Sequence, residues 1–294
     1  MRWQGRRESR NIDDRRASGS RGGGRRGGAA AGGVGGIGVV VVVIVGYFLG
    51  IDLTPLLNGL NTGQGGGIAT QEAVDITPAD EQAASFVKVV LAGTEDIWGR
   101  VLPEQTNQQY VPPVLVLFKG STTSACGGAD AATGPFYCPT DKQVYLDTDF
   151  FAVMAQQLGA GGDFAAAYVV AHEVGHAIQD QLGILEQANR VRAQSSEAQS
   201  NAISVRIELQ ADCFAGVWAN ADQEQFGSLE RNDIAEAMNA AEQIGDDTLQ
   251  RNAGQAVRPD GFTHGTSAQR QRWFSMGYDS GQMDQCDTFS ASQL

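Results

Sequence analysis

The stretch Tyr168-Val169-Val170-Ala171-His172-Glu173-Val174-Gly175-His176 constrains the fold more than any other part of the chain. Its apolar residues predict a buried helix. Two histidines four apart on a helix lie about 40° apart around the axis and one turn apart in height. Both imidazoles can then reach a single ion, at about 2.0–2.1 Å if it is zinc. Glu173, between them, is placed to reach a water at that ion rather than the ion itself. The chain has three histidines, and two of them fall in this pentapeptide.

A catalytic zinc site needs a third protein ligand and an open position. A histidine six residues beyond His176 would be one source, but that position is Leu182. A later stretch offers Glu208 and Asp212, one turn apart among Ile203, Ile207, Ala211, Phe214, Ala215 and Val217. Two acids on one face of so apolar a helix are costly to bury without partners. An ion and an ion-bound histidine would be those partners. Glu208 is therefore expected as the third ligand. Asp212 is expected to accept a hydrogen bond from the far nitrogen of a ligand histidine, fixing its tautomer; the exchanged assignment, with Asp212 as ligand, stays open. His-Glu-x-x-His on a helix is the signature of zinc hydrolases, so Zn2+ is the expected cofactor.

The formal net charge of -13 is unevenly spread. Residues 1–28 carry nine arginines and three acids, whereas the remaining 266 carry 12 basic and 31 acidic groups. So acidic a body argues against nucleic acid as a partner. From Gly27 to Ile51 there is no charge, and Val39 to Val45 is the densest apolar part. About 20 helical residues cross a hydrocarbon core of about 30 Å. The run is nearly continuous rather than one-faced, and no Ala-x-Ala-like site follows it. It reads as a single-pass anchor rather than a cleaved leader. The arginines before it should stay cytoplasmic, which leaves the acidic body outside the cytoplasm at the cell membrane. The expected organisation is a basic cytoplasmic segment over residues 1–28, a transmembrane helix over 29–51, a flexible tether over 52–75 and one folded domain over 76–294.

Within that domain Thr77-Pro78-Ala79-Asp80-Glu81 predicts a helix start. Residues 114–118 and 143–147 read as strands, and 149–158, 164–182, 195–221, 232–244 and 267–277 as helices. The order predicts an α+β fold, mostly helical with a small sheet. The strand Val144-Tyr145-Leu146-Asp147 is read as an edge lining a cleft, to which an extended peptide could add, or as an ordinary core strand. Cys126, Cys138, Cys213 and Cys286 are free to form disulfides outside the cytoplasm, with three possible connectivities.

Several stretches together resemble the bacterial neutral zinc metallopeptidase family, a membrane-anchored and glutamate-zincin-like group. They are Ser124 to Gly127, Gly134 to Pro139, Val144 to Asp147, His172 to His176, Glu208 to Gly216, and His264 to Ser267 through Arg270 and Trp273. The resemblance implies a zincin-like domain that hydrolyses a peptide or protein substrate. His172, His176 and Glu208 would hold the metal, and Glu173 would be the general base. Zinc peptidases commonly place a downstream histidine or tyrosine on the developing oxyanion, and His264 is expected in that role. Arg270 is read as a structural ion pair, or as orienting Glu208 or a substrate carboxylate. Pairing Cys126 with Cys138 would pin a loop beside the proposed edge strand. Pairing Cys213 with Cys286 would tie the C-terminus to the helix carrying Glu208. The alternative reading is a catalytically inactive, membrane-tethered binding or scaffold protein on the same fold; an intact Glu173 argues against it.

Overall fold

The computed structural model describes residues 1–17, 75–130 and 133–294. The expected transmembrane helix over 29–51, and the tether up to residue 74, lie outside them. Among the described residues no helix is long and apolar enough to cross a membrane.

The fold is α+β and mostly helical. Helix α1 (Pro78–Thr106) starts where expected. The Thr77 hydroxyl accepts from the Asp80 backbone N–H while the Asp80 carboxylate accepts from that of Thr77, with Pro78 at the first position. Strands β2 (Val114–Phe118) and β6 (Gln143–Asp147) pair in parallel. Between them come the hairpin of β3 (Ser121–Ser124) and β4 (Gly127–Asp130), which forms a sheet of its own, and β5 (Phe136–Cys138). After β6 come α2 (Phe150–Gln156), α3 (Asp163–Gln181), α4 (Ile184–Arg192) and α5 (Glu197–Phe226). The chain continues through α6 (Asp233–Gln243), α7 (Asp246–Asn252) and α8 (Ser267–Ser280) to a 3-10 turn at Met283–Cys286.

The main sheet has the order β1-β2-β6-β5, where β1 is Ile12–Asp14 and only β5 is antiparallel to its neighbour. This corrects the reading of Val144 to Asp147 as an edge. All four residues are buried, as in a strand flanked on both sides, and the free edge beside the helices is β5.

A second correction concerns the N-terminus. Residues 1–17 are not a segment apart from the domain. Ile12, Asp13 and Asp14 pair in parallel with Leu115, Val116 and Leu117. Trp3 is buried, and its indole N–H donates to Asp163 Oδ2 at 2.9 Å, at the start of α3. Arg6 pairs with Asp222 on α5 at 2.8 Å, and Arg7 with Glu95 and Asp96 on α1 at 2.9 and 2.7 Å. The basic arm is thus matched to acids of the body. Strand pairing also requires β1 and β2 to lie on one side of any membrane.

Two close helix contacts set the centre of the molecule. A Cβ at Gly175 would already press on α5, 3.1 Å from the Ala211 carbonyl oxygen. Where α5 meets α8 there is no room for a side chain at all. A Cβ at Gly216 would stand 2.1 Å from Phe274 O, and one at Gly277 1.9 Å from Cys213 O. Helices α3, α5 and α8 therefore touch backbone to backbone, and the polar groups along these seams are forced together.

Candidate metal centre

The α3–α5 contact brings the predicted ligands to one point. His172 Nε2 lies 3.1 Å from Glu208 Oε2, and His176 Nε2 lies 3.6 Å from Glu208 Oε1. One donor atom from each of the three residues falls within 4.8 Å of the others. Ligands about 2.0–2.1 Å from a tetrahedral zinc stand about 3.3 Å apart, so the donor set and its spacing fit that ion. Glu208 keeps 19% of its side chain exposed, which leaves the site one face open to solvent.

The second nitrogens of both rings are engaged. His172 Nδ1 donates to Asp212 Oδ1 at 2.8 Å, and His176 Nδ1 donates to Gln179 Oε1 at 2.8 Å. Each ring therefore turns an unprotonated Nε2 towards Glu208 when neutral. Asp212, fully buried, is itself tied down. Arg270 donates to it through Nε at 2.8 Å and Nη2 at 2.9 Å, and the Tyr168 hydroxyl donates at 2.5 Å. Asp212 thus accepts from the His172 ring nitrogen that faces away from Glu208. Arg270 pairs with Asp212 as a buried ion pair.

The electrostatics favour a cation at this point. Burial would lower the pKa of His172, but the charge and hydrogen bond of Asp212, then those of Glu208, push it up to about 10. His176 is raised in the same way by Glu208 against its own burial. Burial raises Glu208, and the two histidines more than reverse it, so its carboxyl sits well below the usual range. A field that holds protons here so firmly would equally attract a divalent cation. Glu173 is buried beside the pair, which raises its carboxyl above the ordinary value against the pull of the two histidines.

His264 lies on the loop before α8 and does not join the three-residue cluster. The Asp246 carboxylate fixes that loop. Its Oδ2 accepts the backbone N–H groups of Thr263, His264 and Gly265 at 2.8, 2.7 and 3.0 Å, and its Oδ1 the His264 Nδ1 at 3.2 Å. His264 and Glu208 are near enough for each charge to shift the other's pKa. Of the three connectivities the sequence left open, the structure has Cys126 with Cys138 and Cys213 with Cys286. Sequence reasoning missed Gln179, Tyr168 and Asp246. Gln179 carried one signal: it is a polar residue three positions beyond His176, after Ala177 and Ile178.

This combination of a histidine pair and a carboxylate from a second helix, with a glutamate buried beside them, forms a group that could hold a metal ion. A family model described as "Putative neutral zinc metallopeptidase" matches residues 1–289, and the chain belongs to that family. It is 47% identical to the uncharacterized protein YpfJ of Escherichia coli (strain K12) over 293 residues, 99% of this chain and 100% of that protein. It is 40% identical to the uncharacterized protein Rv2575 of Mycobacterium tuberculosis (strain ATCC 25618 / H37Rv) over 255 residues, 78% of this chain and 84% of that one. No solved structure matches it.

Proposed function

We propose that this protein is a zinc-dependent peptidase attached to a membrane. The observation that carries the reading is the convergence of His172 Nε2, His176 Nε2 and the Glu208 carboxylate, with Glu173 buried beside them. His172, His176 and Glu208 would hold Zn2+. When bound, the ion supplies a Lewis acid that lowers the pKa of water to about 7 and polarises a carbonyl.

The chain's own groups carry the protons. Glu173 takes one from the attacking water as its oxygen bonds to the peptide carbon. It then gives that proton to the amine nitrogen as the C–N bond breaks. Burial fits Glu173 to this task, because a carboxyl with a raised pKa returns a proton more readily. His264, held by Asp246, donates a hydrogen bond to the oxygen that gains charge. An extended peptide substrate adds to the free edge of β5, the strand that packs beside α3.

Attachment through residues 29–51 belongs to the same reading. The two disulfides favour an extracytoplasmic body. A single crossing between residues 17 and 75 would put the arm on the other side from the body, so in this reading the pairing of β1 with β2 and a single-pass anchor exclude one another.

The test is zinc content of the purified full chain by mass spectrometry, followed by peptide hydrolysis with and without a chelator. Glu173→Gln should keep zinc bound and reduce cleavage by at least about 10²-fold. A chain that binds no zinc, or a Glu173→Gln variant that cleaves like the wild type, would refute the proposal. The inactive-scaffold alternative predicts bound zinc with no cleavage in either form.

A further inference from the structure

The two metal-facing histidines are supported differently. His172 leans on a buried carboxylate, whereas His176 leans on a neutral amide, Gln179, which is fully buried on the same helix. The oxygen and nitrogen ends of an amide have the same shape, so its orientation must come from a partner of single polarity. For Gln179 that partner is the backbone carbonyl of Ile207, which can only accept, at 2.8 Å from Nε2. The Oε1 end must then face His176. An acceptor there requires the proton on Nδ1, which in the neutral ring leaves Nε2 bare on the side of Glu208.

The chain of polarity runs further. Gln179 Nε2 also donates to Gln210 Oε1 at 3.0 Å. Gln210 is oriented in turn by a second backbone carbonyl, that of Cys286, at 3.0 Å from its Nε2. Cys286 closes the last 3-10 turn and is joined to Cys213 on α5 by a disulfide. Hydrogen bonds thus run in one sense from His176 through Gln179 and Gln210 to the C-terminal tail, and a carbonyl orients each amide.

We infer that Gln179 is a positioning residue for His176, and that Gln210 couples it to the disulfide-bonded C-terminal tail. The inference rests on the metal-site reading above. The bland alternative is a buried glutamine that merely satisfies Ile207 O. Both readings predict a less stable protein when Gln179 is lost, but only positioning predicts weaker metal binding. Losing the outer partner of a ligand histidine typically weakens a metal about 10–100-fold.

The experiment measures zinc affinity of the full-length chain by competition with a chromophoric chelator, together with urea stability of the zinc-free and zinc-loaded forms. The proteins compared are the wild type, His176→Ala, Gln179→Leu, Gln179→Glu and Gln210→Leu. His176→Ala should lose tight zinc binding. Gln179→Leu should weaken it about 10–100-fold and narrow the stability gap between loaded and zinc-free forms. Gln179→Glu keeps an oxygen towards Nδ1 and should recover affinity relative to the leucine variant, while Gln210→Leu should weaken zinc by less than Gln179→Leu does.

Unchanged affinity in Gln179→Leu beside a defective His176→Ala would overturn the positioning role and leave the metal site standing. Affinity in Gln179→Glu no better than in Gln179→Leu would also overturn it; if the leucine variant does not fold, a folded Gln179→Glu protein that binds zinc no better than His176→Ala overturns it instead. Wild-type affinity in Gln210→Leu would overturn the coupling to the tail. If His176→Ala binds zinc as the wild type does, the metal site itself is misassigned.

Discussion

Replacing Arg270 by methionine tests the buried network behind the metal site. Methionine fills much of the space of the arginine stem but removes the fork on Asp212. The Asp212 carboxylate is fully buried and would keep only His172 Nδ1 and the Tyr168 hydroxyl. Removing one partner of a buried pair typically costs about 3–5 kcal/mol, because the other charge is left behind without compensation. A second gauge comes from the carboxyl itself. Burial alone would raise it, yet Arg270 and then His172 hold it down at about 2. That lies roughly two pH units below the unfolded value, at about 1.4 kcal/mol per unit, which gives about 2–3 kcal/mol for the whole cage. The two gauges meet near 3 kcal/mol.

The assay is urea unfolding of the zinc-free chain at pH 7, followed by tryptophan fluorescence. The midpoint should fall with the slope unchanged. At about 2–4 °C per kcal/mol for a domain of this size, the melting temperature should drop by about 6–12 °C. Neutralising both partners, in Arg270→Met with Asp212→Asn, should cost less than the sum of the single variants. The pH dependence has a definite sign. A depressed carboxyl contributes stability that is complete above its unfolded pKa of about 3.9 and is lost as pH falls through the folded value. The wild type should thus lose more stability than Arg270→Met as pH drops from about 4 to about 2. An Arg270→Met protein within about 0.5 kcal/mol of the wild type at pH 7 would refute the reasoning.

The remaining expectations concern the arm and the disulfides. Arg6→Ala strips the guanidinium from Asp222, which is fully buried and keeps only the Ser228 hydroxyl. Because Arg6 is itself partly exposed, the cost should fall below the fully buried range, at about 2 kcal/mol by urea unfolding; a neutral effect would mean the arm does not hold the body. Breaking Cys213–Cys286, which closes 73 residues, should cost about 4 kcal/mol, and breaking Cys126–Cys138, which closes 12, about 3 kcal/mol. Paired serine variants compared under oxidising conditions test that order, and equal stability of all forms would contradict it.

The helices of the candidate metal site were legible because their signals are strong and local. Histidines at i and i+4 point one way only on a helix, and acids in the apolar stretch from Ile203 to Val217 call for partners. The strand order was not legible. Phe136 to Cys138 is too short to announce an edge, and Ile12-Asp13-Asp14 reads as part of a charged segment until Leu115 is beside it. Gln179 and Gln210 are neutral, and their importance lies in which carbonyls face them, which no spacing rule encodes. Asp246 holds a loop 17–19 residues away along the chain, beyond any helical or turn pattern.

The charge split was visible, but it has two physical readings. A run of arginines before an apolar stretch can be a cytoplasmic anchor, or it can be the complement of an acidic surface. Arg6 and Arg7 are spent on Asp222, Glu95 and Asp96, so the second reading accounts for them without a membrane potential. The two readings differ in an observable. If the arm stays docked, cysteines introduced at the exposed Gln4 and Gln293 must meet the same solvent. In intact cells a membrane-impermeant maleimide should then label both positions or neither, with labelling of both expected for an extracytoplasmic body. Labelling of Gln293→Cys in intact cells, with Gln4→Cys reached only after lysis, would show that the arm leaves the sheet when the chain is in its membrane. Parallel pairing of β1 with β2 would then not be the state in which the protein works.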